Sequence, residues 1–153
     1  MLLASTAIVI TATIALGGAV TWTRRVRRHE ATRLGADESV LRLARGVTAR
    51  LYVEEDVLGG PEAGVANLMP ADLLLTPRRL VIGTHQGKML EITPGTEASV
   101  RMTGPRRLVI EGSRPRMSGP LRVRAELLLD EPEAWVAAAH EHLGTTTSAL
   151  PEG

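Results

Sequence analysis

The stretch Leu121-Arg-Val-Arg-Ala-Glu-Leu-Leu128, followed closely by Asp130-Glu-Pro-Glu-Ala-Trp-Val-Ala-Ala-Ala-His-Glu-His-Leu143, carries the fold in miniature. Leu121, Val123, Ala125 and Leu127 share one face, and Arg122, Arg124 and Glu126 share the other. A period of two with one apolar face describes a strand buried on one side. Leu128 breaks the polar face where the chain leaves the sheet. The period then changes. Trp135, Val136, Ala139 and Leu143 recur at helical spacing. Asp130 and Glu131 sit where acids complement a helix dipole, Pro132 suits a first turn, and Gly144 ends the run. The reading is a final strand and one closing amphipathic helix, with a flexible polar tail over residues 144–153.

Upstream, short β-prone runs are each closed by Gly, Pro or a polar cluster. They are Ala49 to Glu54, Asp72 to Thr76, Arg79 to Gly83, Met89 to Ile92, Ala98 to Met102 and Arg107 to Glu111. Pro77 fits the second position of a tight turn because its ring already sets φ. The loop Gly59-Gly60-Pro61-Glu62-Ala63-Gly64 cannot sit inside a sheet. Seven strands with short connections predict antiparallel neighbours. Such a sheet exposes its edges and an open end. Bending it into a partial barrel and plugging it with the last helix buries both. The fold class is therefore mainly β with a C-terminal α-helix. With no Phe in the chain, Trp135 is the plug and Leu, Val and Ile fill the core. Pro77-Arg-Arg-Leu-Val-Ile82 recurs as Pro105-Arg-Arg-Leu-Val-Ile110, a repeated turn-into-strand solution and not a repeat architecture.

Asp72-Leu-Leu-Leu-Thr-Pro-Arg-Arg-Leu-Val-Ile-Gly-Thr84, a Gly-containing turn and then Met89-Leu-Glu-Ile92 resemble the central hairpins of the pleckstrin-homology-like superfold. The nearest branch is that of GRAM and bacterial PH-like domains, whose closing helix often carries a Trp, as Glu131-Pro-Glu-Ala-Trp135 does here. The resemblance spans residues 47–143. It implies a seven-stranded bent sheet capped by one helix, and a binding or scaffolding role without catalysis. Phosphoinositide-binding members are basic around the first hairpin. Glu54-Glu55-Asp56 is acidic there, so specific phosphoinositide binding is not implied.

The N-terminus reads as a membrane anchor over residues 1–23. Leu2 to Trp22 holds no charge. As a helix, those 21 residues cover about 30 Å, the thickness of the hydrocarbon core. Trp22 lies where an interfacial aromatic belongs, and Arg24, Arg25, Arg27 and Arg28 follow at once. Basic flanks stay cytoplasmic, which places the N-terminus outside and the remainder in the cytosol. A cleaved signal peptide would want bases ahead of a shorter apolar stretch. Ala7, Thr11, Ala15 and Ala19 form a small-residue stripe through which two such helices could pair as a homo-oligomer. Residues 24–46 form a basic juxtamembrane connector. Its helix continues to about Leu34 and stops at Gly35. Val40, Leu41 and Leu43 belong either to a short amphipathic helix or to the approach to the first strand.

Charge narrows the function. The net charge of +1 divides into +4 over residues 1–28 and −3 over residues 29–153. A mildly acidic body argues against a nucleic-acid partner. No Cys is present, which removes disulfides and thiolate sites. His29, His85, His140 and His142 are scattered, and the last two are two apart on a helix rather than the four a metal pair wants. No phosphate loop, nucleophile elbow or zinc motif occurs. The reading is no enzyme, no cofactor and no metal. Residues 99–124 hold seven Arg against one acid, Glu111. Arg101, Arg106, Arg107, Arg122 and Arg124 are the candidate binding residues. On a sheet tethered to the inner leaflet they could meet anionic lipid headgroups, a protein partner, or one another's counter-ions across strands. The leading expectation is a single-pass, cytosolic PH-like module acting on a protein partner or membrane complex. The alternative is an anionic-lipid surface sensor using the Arg-rich sheet face.

Overall fold

The structure is a computed structural model that describes residues 19–54, 67–117 and 119–146. Residues 19–31 are helical, forming α1. Seven strands follow: β1 (Arg42–Glu54), β2 (Asn67–Leu75), β3 (Leu80–Thr84), β4 (Gly87–Ile92), β5 (Ala98–Gly104), β6 (Arg107–Arg114) and β7 (Leu121–Leu128). A second helix, α2 (Pro132–Leu143), closes the chain. The strands make one antiparallel sheet in the order β4-β3-β2-β1-β7-β6-β5.

β1 is the strand that both halves of the sheet share. Arg42 to Leu51 pair with β2, whereas Ala49 to Glu54 pair with β7. The two ladders overlap only at Ala49–Leu51. The concave face of the sheet is filled by Leu51, Leu73, Leu75, Ile82, Leu90, Ile92, Leu108, Ile110 and Leu127, all buried. The ends of the sheet curl toward each other until Gly112 of β6 lies against Leu90 of β4. A Cβ on Gly112 would sit 3.2 Å from a Leu90 methyl. Helix α2 packs on β5 and β6 and sends Trp135, Ala139 and Leu143 into the same core. Its start and stop are local: Pro132 in the first turn, Glu133 near the dipole's positive end, and Gly144 at φ 65° closing the last turn. Thr146 then lies beside Ser99 at the β5 edge, its N–H donating to the Ala98 carbonyl at 3.3 Å. The expected bent sheet with its closing helix is present.

Boundaries differ from expectation at the start of β1, at the start of β2, which begins at Asn67 rather than Asp72, and at the end of α1. Strand β1 starts at Arg42, not at Ala49, because it carries a bulge between Ala44 and Val47. Gly46 takes φ 62° there, a left-handed conformation that costs a Gly little. The Leu41 N–H donates to the Leu75 carbonyl at 2.9 Å, so Val40 and Leu41 are the approach to the first strand. Helix α1 ends at residue 31, short of Leu34. The hydroxyl of buried Thr32 turns back onto the carbonyls of Arg28 and His29, at 3.3 Å each. Among the described residues no helix is long and apolar enough to cross a membrane. Residues 2–18 of the expected span, including Ala7, Thr11 and Ala15 of the small-residue stripe, lie outside the described residues. So do residues 147–153 of the expected tail, and Glu55 and Asp56 of the acidic hairpin.

Candidate functional site

Two clusters of charge stand out, on opposite halves of the sheet. The first joins α1 to β1, β2 and β3. Strand periodicity points Ala71, Leu73 and Leu75 into the core and turns Asp72 and Leu74 to the other face. Yet Asp72 is 0% exposed, and Leu74 and Val81 are buried with it. The end of α1 covers this outer face. Gly83 of β3 permits that contact, since a Cβ there would lie 2.8 Å from the Arg28 carbonyl oxygen and 2.9 Å from Ala31 Cβ. Burial on both faces explains why Leu73-Leu74-Leu75 and Leu80-Val81-Ile82 read as unbroken apolar runs.

A carboxylate taken out of water must be paired and hydrogen-bonded. Asp72 is both. Arg45 Nη1 donates to Oδ2 at 2.8 Å, and the Gly46 N–H donates to Oδ1 at 2.8 Å. Arg28 Nε of α1 lies 3.3 Å from Oδ1, and His29 Nε2 lies 3.6 Å from Oδ2. The bulge in β1 is therefore shaped to hold Asp72, and Asp72 in turn holds the helix.

A second lock lies beside it. Arg79 donates to both oxygens of Glu38, Nε at 2.7 Å and Nη2 at 2.6 Å, and Nη2 also donates to the Arg33 carbonyl at 2.8 Å. The Gly35 N–H donates to Glu38 Oε2 at 2.7 Å. The Arg79 hydrogen bonds, reinforced by that amide, lower the Glu38 pKa to about 2 against the opposing effect of burial. The same pairing raises that of Arg79. Residues 24–46 are thus a docked segment tied down at two points.

The second cluster is the Arg-rich face of β5, β6 and β7. Register brings Ser99, Glu111, Arg124 and Tyr52 into one row, and Arg101, Val109, Glu126 and Arg50 into the next. Arg101 grips Glu111 with both terminal nitrogens, at 2.8 and 3.1 Å. Arg124 lies 3.6 Å from Glu111, donates to Glu126 at 2.9 Å and stacks over Tyr52 at 5.6 Å. Arg106 pairs with Asp130 at 2.7 Å. The Arg101 hydrogen bonds hold the Glu111 carboxyl below its usual range. Arg107 and Arg122 are exposed and stand in none of these pairs. The structure does bring Arg101 and Arg124 together, through a shared carboxylate. Arg106 and Arg107 fall at the other end of β6.

Of the expected interface residues, Trp22 is 69% exposed, and Arg24, Arg25 and Arg27 are exposed on α1. Arg28 is turned inward to Asp72. Ala19, the last of the stripe, is exposed. Sequence reasoning read Glu38 only as a capping group and gave Asp72, Arg45 and Arg79 no site role. One signal was available for Asp72: a lone carboxylate at the head of a continuous apolar run has to find a cation. Among the described residues no three His, Asp or Glu are placed to hold a metal. No protein-family model, curated protein or solved structure matches this chain.

Proposed function

We propose that the chain is a non-catalytic, single-pass membrane protein that holds a PH-like domain at a set orientation below the inner leaflet, where it engages a protein partner or an adjacent membrane complex. The observation that carries this reading is the double lock of Asp72 and Glu38. It makes the helix leaving the proposed anchor and the β-sheet one body, which is what a presenting scaffold requires and a loose tether does not. The uncharged stretch Leu2–Trp22 with its four-Arg flank supports the anchor, and the positive-inside rule supports a cytosolic domain. Seven antiparallel strands bent into a partial barrel and closed by one helix support the PH-like resemblance.

The partner-facing surface on this reading is the β5–β6–β7 face around Arg107 and Arg122. The alternative, an anionic-lipid sensor using Arg101, Arg106, Arg107, Arg122 and Arg124, has less support. Three of those five charges are already neutralised by Glu111, Glu126 and Asp130. Photo-cross-linking in native membranes tests the reading. A photoreactive side chain at position 107 or 122 should give a discrete adduct that one on α2 at position 137 does not. An epitope after Gly153 should be shielded in intact cells. Surface accessibility of that epitope, or identical adduct patterns at all three positions, would overturn it. Anionic-vesicle binding lost in the Arg122→Glu/Arg124→Glu double variant would favour the sensor instead.

A further inference from the structure

Where α1 leaves the sheet, a cleft of about 560 Å³ opens between the helix and the start of β2. Arg24, Arg25 and Arg28 from the helix and Arg45 from the β1 bulge line one side of it. Leu68, Met69 and Pro70 of β2 form an apolar wall, and Leu68 is 68% exposed beside it. Among the described residues the acid at hand is Asp72, which is fully buried and already shared by Arg28 and Arg45. Four guanidinium groups therefore face one carboxylate, and the excess positive charge points into the cleft. Arg28 and Arg45 are held in place by that carboxylate, so half of the cationic wall is preorganised.

We infer that this cleft binds a phosphate-bearing anion, of the kind an anionic lipid headgroup presents. The guanidinium fork matches phosphate oxygens in pairs, and two arms already fixed by Asp72 lose little freedom on binding. The apolar wall suits the glycerol and upper acyl carbons that accompany a lipid phosphate. Depth agrees at the mouth of the cleft. From Trp22 at the interface, Arg24 lies about 3 Å and Arg28 about 9 Å further along the helix axis. The headgroup layer is roughly 5–8 Å thick on each side, so Arg24 falls within it and Arg28 just past its outer edge. This inference rests on the proposed anchor for its lipid source, and it differs from a general attraction of basic flanks to the membrane. Arg27 carries the same charge on the same helix but lines no part of the cleft.

That difference supplies the test. The full chain in neutral detergent micelles is titrated with dihexanoyl phosphatidylglycerol and followed by native mass spectrometry, with dihexanoyl phosphatidylcholine setting the background. Arg24→Gln should weaken phosphatidylglycerol binding roughly five- to tenfold, as expected for one cation close to an anionic headgroup. Arg27→Gln should leave it unchanged. Neither residue pairs with Asp72, so circular dichroism should report an intact fold for both. Equal losses in the two variants, or none in either, would overturn the site. Competition by millimolar inorganic phosphate would mark the ligand as free phosphate, and its absence would mark it as lipid; either keeps the site. Carbonate extraction of the full chain from membranes scores the anchor separately. A chain that is extracted but still distinguishes Arg24 from Arg27 keeps the cleft and loses the anchor.

Discussion

Arg45 and Asp72 are 27 residues apart in sequence and 2.8 Å apart in space, and their contact crosses from a bulge in β1 to the outer face of β2. The pair is asymmetric. Asp72 is wholly buried, whereas the Arg45 side chain is 39% exposed. Removing the carboxylate strands the Arg28 Nε, which is buried without a hydrogen bond. Removing Arg45 strands only part of a carboxylate that keeps the Gly46 amide.

Asp72→Ala should therefore cost about 3 kcal/mol of stability, toward the low end for one broken side of a buried ion pair. Arg45→Met should cost less, about 1–2 kcal/mol, because the amide and Arg28 remain. Urea unfolding of the full chain in neutral detergent checks both. Amide exchange over residues 24–31 should rise in Asp72→Ala. Equal midpoints for the two variants would contradict the asymmetry.

Acid should loosen the second lock. The folded-state pKa of Glu38, about 2, lies below the 4.5 of an unperturbed Glu. A depressed pKa stabilises the fold at pH values above the unfolded value and loses that contribution as pH falls through the folded one. The window is therefore pH 4.5 down to about 2. The full shift would correspond to roughly 3 kcal/mol, and solvent at the rim of the pair reduces this to about 1–2 kcal/mol. Glu38→Gln should lower stability at pH 7 by that amount and flatten the stability–pH curve across the window. A variant whose curve runs parallel to the parent's would remove Glu38 as its source.

Gly83 is where helix and sheet come closest. Gly83→Ala places a methyl 2.8 Å from a backbone oxygen that cannot rotate away. The expected cost is about 1–3 kcal/mol, with α1 lifted from the sheet. Two spin labels, on α1 at position 27 and on β4 at position 88, should show a longer and broader distance distribution. Wild-type distances in Gly83→Ala would mean that the helix accommodates the methyl.

Damage to the plug should not loosen the docked helix. Trp135→Ala removes the largest side chain of the plug and should cost about 3–5 kcal/mol. Protection over residues 24–31 should persist until global unfolding, because α2 packs on β5 and β6, on the half of the sheet away from α1. Early loss of protection there would show instead that the two halves open together.

Much of this fold can be read from residues alone, and the parts that cannot share a cause. Leu121–Leu128 alternates cleanly because only one of its faces is buried, and the strand occupies those residues. Pro132–Leu143 announces its helix with Pro at the front, Gly behind and an apolar stripe between. The beginnings of β1 and β2 are hidden by residues that usually mark breaks. Gly46 looks like punctuation and is a bulge. Pro70 looks like an end, yet it lies where β2 has passed beyond β3, which pairs only with Asp72–Leu75. On that side no described strand needs an N–H from it, although on the other side it still stands opposite Thr48 of β1. The Arg-rich face was visible as composition, but its neutralisation by Glu111, Glu126 and Asp130 depends on register, which no local pattern states. The Asp72 site combines a helix, a bulge and a strand far apart in sequence, and its partners become apparent only once the sheet is assembled.

The bulge of β1 has a mechanical consequence. β1 belongs to both halves of the sheet, and Arg45 within it shares a carboxylate with Arg28 of α1. A displacement of that helix is therefore handed, through one carboxylate, to the strand that both halves of the sheet share. The molecule is geared as a crank, with Asp72 as the pin.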